Sequence, residues 1–147
     1  MITDIYPPDL QEGGLVPASQ LLFSETRYAG VDVDVDVDPT ITEHALPIDT
    51  AVLGYRVLRE TLRNVVRHSG ATRARVALRV DQDDLVIEVS DDGVGFDPTV
   101  AAPKGHFGLR LLEDTIGDVG GELTIDSPPE GGTRVVARFP VRWGVAR

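Results

Sequence analysis

The chain has 147 residues, 41% of them hydrophobic and 26% charged, which suffices for one domain with a core and is ordinary for a soluble globular protein. It has no cysteine, which excludes disulfides and thiolate metal sites and fits a cytoplasmic protein, and no apolar run nears the roughly 20 residues of a membrane span. Its formal net charge of −10 speaks against a nucleic-acid partner, because nothing here would neutralise a phosphate backbone. A nucleotide would have to be held locally, by backbone N–H groups, a few basic side chains or a metal ion.

Residues 1 to about 14 are rich in Pro, Asp and Gly and read as the tail of a preceding unit. From Leu15 to Tyr28 the apolar positions Leu15, Val16, Leu21, Leu22 and Phe23 predict a helix. Valine and aspartate then alternate strictly from Val31 to Asp38. A period of two with a β-branched residue at every other position predicts a strand with one buried and one wet face. The aspartates lack the loop geometry and bidentate glutamate of a calcium site, so they read as the solvated face. Pro39 is expected to end the strand.

A long helix is predicted from about Ile48 to His68. Asp49 near its start suits the helix dipole, and Gly70 stops it. Ala51, Tyr55, Leu58, Leu62, Val65 and Val66 recur at helical spacing and should face the core. Residues 75–80 and 85–90 alternate as strands joined by the turn Asp81-Gln82-Asp83-Asp84. A glycine- and proline-bearing loop follows from Asp91 to Gly108, then a helix from about Leu109 to Val119, stopped by Gly120-Gly121. Residues 122–127 and 133–140 form a last hairpin. The order predicts an α/β sandwich, one mixed, mostly antiparallel sheet of about five strands with three helices on one face.

Chemistry-bearing residues concentrate in three places. Glu60 and Asn64 lie one turn apart on the long helix, with Arg67 and His68 on the next turn of that face. Alone, this stripe reads equally as a solvated helix face. Asp91-Asp92-Gly93-Val94-Gly95 follows directly on a strand, where two glycines let the backbone turn sharply and a flat ring approach closely. Asp91 is placed to accept a hydrogen bond from an exocyclic amine such as that of adenine. Gly105-His106-Phe107-Gly108-Leu109, preceded by Lys104, runs glycine-rich backbone into a helix N-terminus, an arrangement that suits anions. There is no Gly-Lys-Ser/Thr of a P-loop and no βαβ unit of a dinucleotide fold. An acceptor for a base, a helix end for phosphates and a carboxamide for a divalent cation make one constellation. Mg²⁺ keeps several waters and bridges phosphates, so a single protein oxygen from Asn64 is chemically adequate.

These motifs resemble those of the GHKL ATPase superfamily and, within it, the ATP-binding catalytic domain of two-component sensor histidine kinases. The stretch from Arg59 to His68 resembles that family's N box. Asp91 to Gly95 resembles its first glycine box, Gly105 to Leu109 its second, and Gly131-Gly132-Thr133 the start of its last strand. The opening Pro7-Pro8-Asp9-Leu10-Gln11-Glu12-Gly13-Gly14-Leu15 is similar to the segment after the second dimerisation helix in kinases of the nitrate-sensor and desaturase-sensor type. The gap from Gly95 to Gly105 matches their short ATP lid.

The resemblance implies the Bergerat fold, with residues 1–28 as the end of a dimerisation region or linker and 29–147 as the catalytic domain. It implies ATP and Mg²⁺ as cofactors, with Asp91 binding the adenine amine beside Gly93 and Gly95, and Asn64 ligating the metal. It further implies Glu60 as catalytic base or orienting group and Arg67 and His68 near the phosphates. Lys104, Gly105 and Gly108 would close the lid over the triphosphate, His106 and Leu109 would also belong to the ATP site, and Thr133 would line the pocket floor. His44, His68 and His106 do not stand in a phospho-acceptor context, so the accepting histidine is expected on dimerisation helices outside this chain. A response regulator would be the onward partner, and the chain alone is expected to be a monomeric fragment with little turnover. The alternative is an anti-sigma-factor-type serine kinase acting as a partner-binding switch, which the segment from Pro7 to Leu15 disfavours.

Overall fold

The computed structural model describes residues 10, 14–43, 46–94, 107–127 and 131–141. In chain order the elements are α1 (Leu15–Tyr28), β1 (Asp32–Val37), α2 (Pro39–Glu43), α3 (Ile48–Asn64) running into a π-helical turn (Val65–Ser69), β2 (Arg73–Asp81), β3 (Asp84–Asp91), α4 (Phe107–Asp118), β4 (Glu122–Asp126) and β5 (Thr133–Pro140). The five strands form one sheet in the order β1-β2-β3-β5-β4. Only the β1–β2 pairing is parallel, so the sheet is mixed and mostly antiparallel, as expected.

Period-two alternation sorts the sheet into two faces. Val33, Ala74, Val76, Leu78, Leu85, Ile87, Val89, Leu123, Val135, Ala137 and Phe139 join the core beneath α1, α3 and α4. Completely burying one such leucine or isoleucine contributes about 1.5–3 kcal/mol, so this face holds the layers together. The other face is charged. Asp32 and Asp34 stand exposed in register with Arg73 and Arg75. Glu88 lies between Arg134, at 2.8 Å, and Arg79, at 3.6 Å. Hydrogen bonding from Arg134 holds the Glu88 carboxyl below its ordinary pKa. The β2–β3 hairpin turns at Gln82 and Asp83, whose φ angles of 52° and 68° suit a two-residue turn with both central residues left-handed.

Two elements depart from expectation. Pro39 does more than stop β1: it is the first residue of the short α2, a position where its missing N–H is not needed. Asp38 caps that helix, accepting from Thr40 N at 2.9 Å, while its other oxygen accepts from Val80 N at 3.3 Å. These N–H groups lower the Asp38 pKa. Among the described residues four α-helices of five residues or more thus accompany the sheet, where three were expected. The long helix also changes pitch: regular α geometry ends at Asn64 and a π turn carries the chain to Gly70, whose φ of 66° terminates it.

α1 packs on α3 and β1, with Leu15, Ala18 and Phe23 buried. At Gly54 a β-carbon would come within 2.9 Å of Leu15 Cδ2, so the glycine permits the close α1–α3 approach. That contact fixes the long helix over the centre of the sheet, where α3 reaches β3, β5 and α4.

Candidate functional site

The end of β3 builds one side of the site. Leu85, Ile87 and Val89 point into the core, and the same alternation carries Asp91 toward the helix-covered side at the point where the strand stops. Asp91 pairs in register with Ala74 of β2 and Thr133 of β5. Its Oδ1 accepts a hydrogen bond from Gly93 N at 2.8 Å. Burial pushes its carboxyl above the ordinary value, against the pull of the Gly93 and Thr133 N–H groups, and the charge of Asp92 adds to the rise. A desolvated carboxylate at a strand end makes Asp91 a candidate site residue.

Two glycine segments meet there. Gly132 N donates to Gly93 O at 2.8 Å, and Gly132 has φ +87°. A β-carbon on Gly132 would run into the carbonyl oxygen of Asp91. The start of β5 thus lies directly against the turn after β3, and Thr133, half-buried, enters beside Asp91.

α3 and α4 carry the second group of candidate residues. Asn64 is buried, 6% exposed, and among the described residues neither its Oδ1 nor its Nδ2 has a hydrogen-bond partner. A buried unsatisfied amide costs about 1–3 kcal/mol, so its position calls for a ligand or water. It stands at the junction of α and π geometry, and π turns are frequent at functional sites. Glu60, one turn earlier, has its carboxylate against Gly108 in the first turn of α4, where a β-carbon would collide with it. Glu60 also stands in a long ion pair, 3.8 Å from Arg63.

The remaining expected positions are distributed as follows. Leu109 is buried in the core at 1% exposure, anchoring α4. Arg67 is exposed and lines a surface groove between α1 and α3 with Tyr55, Arg59, Leu62 and Arg63. Gly95, Lys104, Gly105 and His106 lie outside the described residues, as does the side chain of His68. The structure therefore joins Asp91, Gly93 and Thr133 in one cluster and Glu60 and Gly108 in another. The two sit on elements in mutual contact, since α3 touches β3, β5 and α4.

Two features of the site were not foreseen. Gly132 reads in sequence as a turn glycine, and its close approach to Asp91 depends on strand pairing between residues 42 positions apart. Asp92 accepts hydrogen bonds from Thr72 and Arg73, again through pairing that no local pattern reports. Among the described residues no helix is long and apolar enough to cross a membrane, and no group of three or more His, Asp or Glu side chains is arranged to hold a metal.

Comparison with known proteins agrees with this architecture. Residues 49–142 match the family described as histidine kinase-, DNA gyrase B- and HSP90-like ATPase. The sensor histidine kinase NarS of Mycobacterium tuberculosis is 37% identical over 143 residues, covering 95% of this chain and 32% of that protein. The nitrate/nitrite sensor protein NarX of Escherichia coli is 28% identical over 130 residues, covering 88% and 21%. The chain thus spans about a third or less of these relatives. Among solved structures, the blue-light activated histidine kinase EL346 of Erythrobacter litoralis superposes with a TM-score of 0.70 at 21% identity, over 88% of this chain and 42% of that one. The histidine kinase AdeS of Acinetobacter baumannii gives 0.65 at 15% identity, over 89% and 65%. These two likenesses show the fold. By its matched residues and its relatives, the chain belongs to the histidine kinase-, DNA gyrase B- and HSP90-like ATPase family and is homologous to sensor histidine kinases of the nitrate-sensor type.

Proposed function

We propose that the chain binds Mg²⁺–ATP and donates the γ-phosphate to a histidine on the dimerisation helices of a longer sensor kinase, for relay to a response regulator. In this reading residues 1–28 lead in from those helices, α1 docking on α3, and residues 29–147 form the catalytic domain. The observation that carries it is the Asn64 amide, buried on a helix that reaches β3, β5 and α4 and unpartnered among the described residues.

Mg²⁺ fits this donor set. It would need no dedicated cage of carboxylates: the Asn64 amide oxygen would hold it alongside the nucleotide and water. Bound there, it would neutralise charge on the phosphates. The chain's own residues do the rest. Asp91 accepts the adenine amine, with Gly93 and Thr133 shaping the floor beside it. Gly108 lets the Glu60 carboxylate approach the first turn of α4, whose positive end suits phosphate oxygens. As the family resemblance implies, Lys104 and Gly105 would close over the triphosphate with His106 beside them, Gly95 would shape the pocket by the base, and Arg67 and His68 would lie near the phosphates. An imidazole nitrogen then forms the P–N bond as the bond to the bridging oxygen breaks and ADP leaves. Imidazole needs little deprotonation near neutral pH, so Glu60 serves chiefly to orient it.

Titration with ATP, with and without Mg²⁺, tests the reading. Asp91→Ala should weaken binding at least about tenfold, the scale expected for a lost hydrogen bond to a charged group. Asn64→Ala should remove the Mg²⁺-dependent part of the affinity. Equal affinities for the wild-type chain and Asp91→Ala would overturn the assignment.

A further inference from the structure

Asp92 is exposed, and the proposed nucleotide contacts make no use of it, yet its side chain accepts three hydrogen bonds. Oδ1 accepts from Thr72 N at 2.8 Å and from Arg73 N at 3.0 Å. Oδ2 accepts from the Thr72 hydroxyl at 3.0 Å. Its own N donates to Arg73 O at 3.2 Å, one rung beyond the last β2–β3 pair, Ala74 with Asp91. These bonds lower the Asp92 pKa, so it is ionised and they are charge-assisted.

The anchor point is itself tied into the sheet. Thr72 O accepts from Asp32 N at 2.9 Å, the first residue of β1. Thr72 therefore joins three segments: the entry to β2, the start of the edge strand, and the turn after β3. Beyond Asp92 the chain passes into Gly93, where glycine permits many backbone conformations. Without a restraint, the peptide linking Asp91 to Asp92 would sit at a fraying strand end. A recognition carboxylate must hold its direction within about half an ångström to select between ligands.

We propose that Thr72 and Asp92 form a clamp that fixes the Asp91 carboxylate against the base, making both of them positioning residues for adenine recognition. The inference rests on the reading that Asp91 accepts the adenine amine. It adds that base selectivity depends on a threonine on the far side of β2, outside the nucleotide cluster. The carboxylate is matched to its partners: two backbone N–H groups converge on one oxygen and a hydroxyl takes the other. An amide in its place keeps this pattern, with its oxygen accepting from the backbone and its NH₂ donating to the Thr72 oxygen, whereas alanine loses all of it.

The test compares affinities of the full chain for ATP and for inosine triphosphate, which carries a carbonyl where adenine has the amine. Wild type should prefer ATP, and Asp91→Ala should erase that preference. Asp92→Ala should narrow the ATP-to-inosine-triphosphate ratio about fivefold and Thr72→Val about two- to threefold, with inosine triphosphate affinity unchanged, as befits lost hydrogen bonds. Asp92→Asn should keep the wild-type ratio. A role confined to stability would lower the unfolding midpoint while leaving the ratio intact, and that result in Asp92→Ala overturns the clamp. Should Asp92→Ala not fold, an unchanged ratio in Thr72→Val overturns it instead. If Asp91→Ala retains the wild-type ratio, the base contact itself is wrong and the clamp falls with it.

Discussion

The carboxylate of Glu60 occupies the space that a β-carbon on Gly108 would need, which brings α3 and the first turn of α4 into direct apposition. Two effects oppose each other at this glycine. Alanine is preferred over glycine in a helix interior by about 1 kcal/mol. Overpacking costs typically about 1–3 kcal/mol. The obstructing atoms are the far end of a flexible side chain, so Glu60 should swing away rather than α4 shift.

Gly108→Ala is therefore expected to change stability by less than about 1 kcal/mol, because propensity and displacement offset each other. Phosphoryl transfer, in contrast, should fall about tenfold or more if Glu60 orients the acceptor, since misplacement of about an ångström is enough. Adding Glu60→Ala removes the obstruction, and the double variant should be at least as stable as Gly108→Ala alone in urea denaturation. A double variant less stable than the single would show that Glu60 is not what the new methyl meets.

Gly132 presents the opposite case, because its obstacle is backbone. A β-carbon there meets the carbonyl of Asp91, and the φ of +87° is strained for any other residue. Gly132→Ala should cost about 2–4 kcal/mol, the sum of backbone strain and overpacking. Gly70 supplies the control. Its φ is +66° but nothing lies within 4 Å of the added carbon, so Gly70→Ala should cost only about 1–2 kcal/mol. Urea midpoints for the two variants check the ranking. Equal losses would mean that the contact with Asp91 adds nothing beyond conformational strain.

The contrast also explains how far the sequence could be read. Alternating Val and Asp in β1, the helical spacing of Leu58 and Leu62 and the turn after Asp81 are local patterns, and each element formed where its pattern lies. The candidate residues Asp91 and Asn64 could be picked out because one follows directly on a strand and the other lies on a helix face. What pairs with them could not be. The contact of Gly132 with Asp91 and the bonds from Thr72 to Asp92 arise from cross-strand register, which is set by the whole sheet. Pro39 follows the end of β1 as expected, but that it also begins α2 was not legible for a related reason: the Asp38 cap that decides the matter also takes Val80 as a partner, 42 residues away.

Asp91 and Asp92 are neighbours whose titrations act in opposite directions. The Asp92 pKa is lowered in the fold, so its contribution to stability is present above the unfolded value of about 3.9 and is lost as pH falls through the folded value. The Asp91 pKa is raised, chiefly by burial. Its ionised form is penalised in the fold at neutral pH, and the penalty disappears as pH falls through the folded value toward the unfolded one. Asp91→Asn should therefore stabilise the chain at pH 7, by about 0.5–1 kcal/mol in line with other functional residues held at the expense of stability. The gain should shrink as the solution is acidified. Nucleotide affinity should show the matching cost. The ionised carboxylate accepts the amine's hydrogen bond more strongly than the neutral carboxyl, so wild-type ATP affinity should fall as pH drops through the raised value, beginning above the ordinary aspartate range. Asp91→Asn should bind weakly with no such limb. Urea midpoints and ATP titrations at several pH values between about 7 and 4 measure both, and a variant less stable than wild type at pH 7 would mean that Asp91 is held in place for the fold rather than for a ligand.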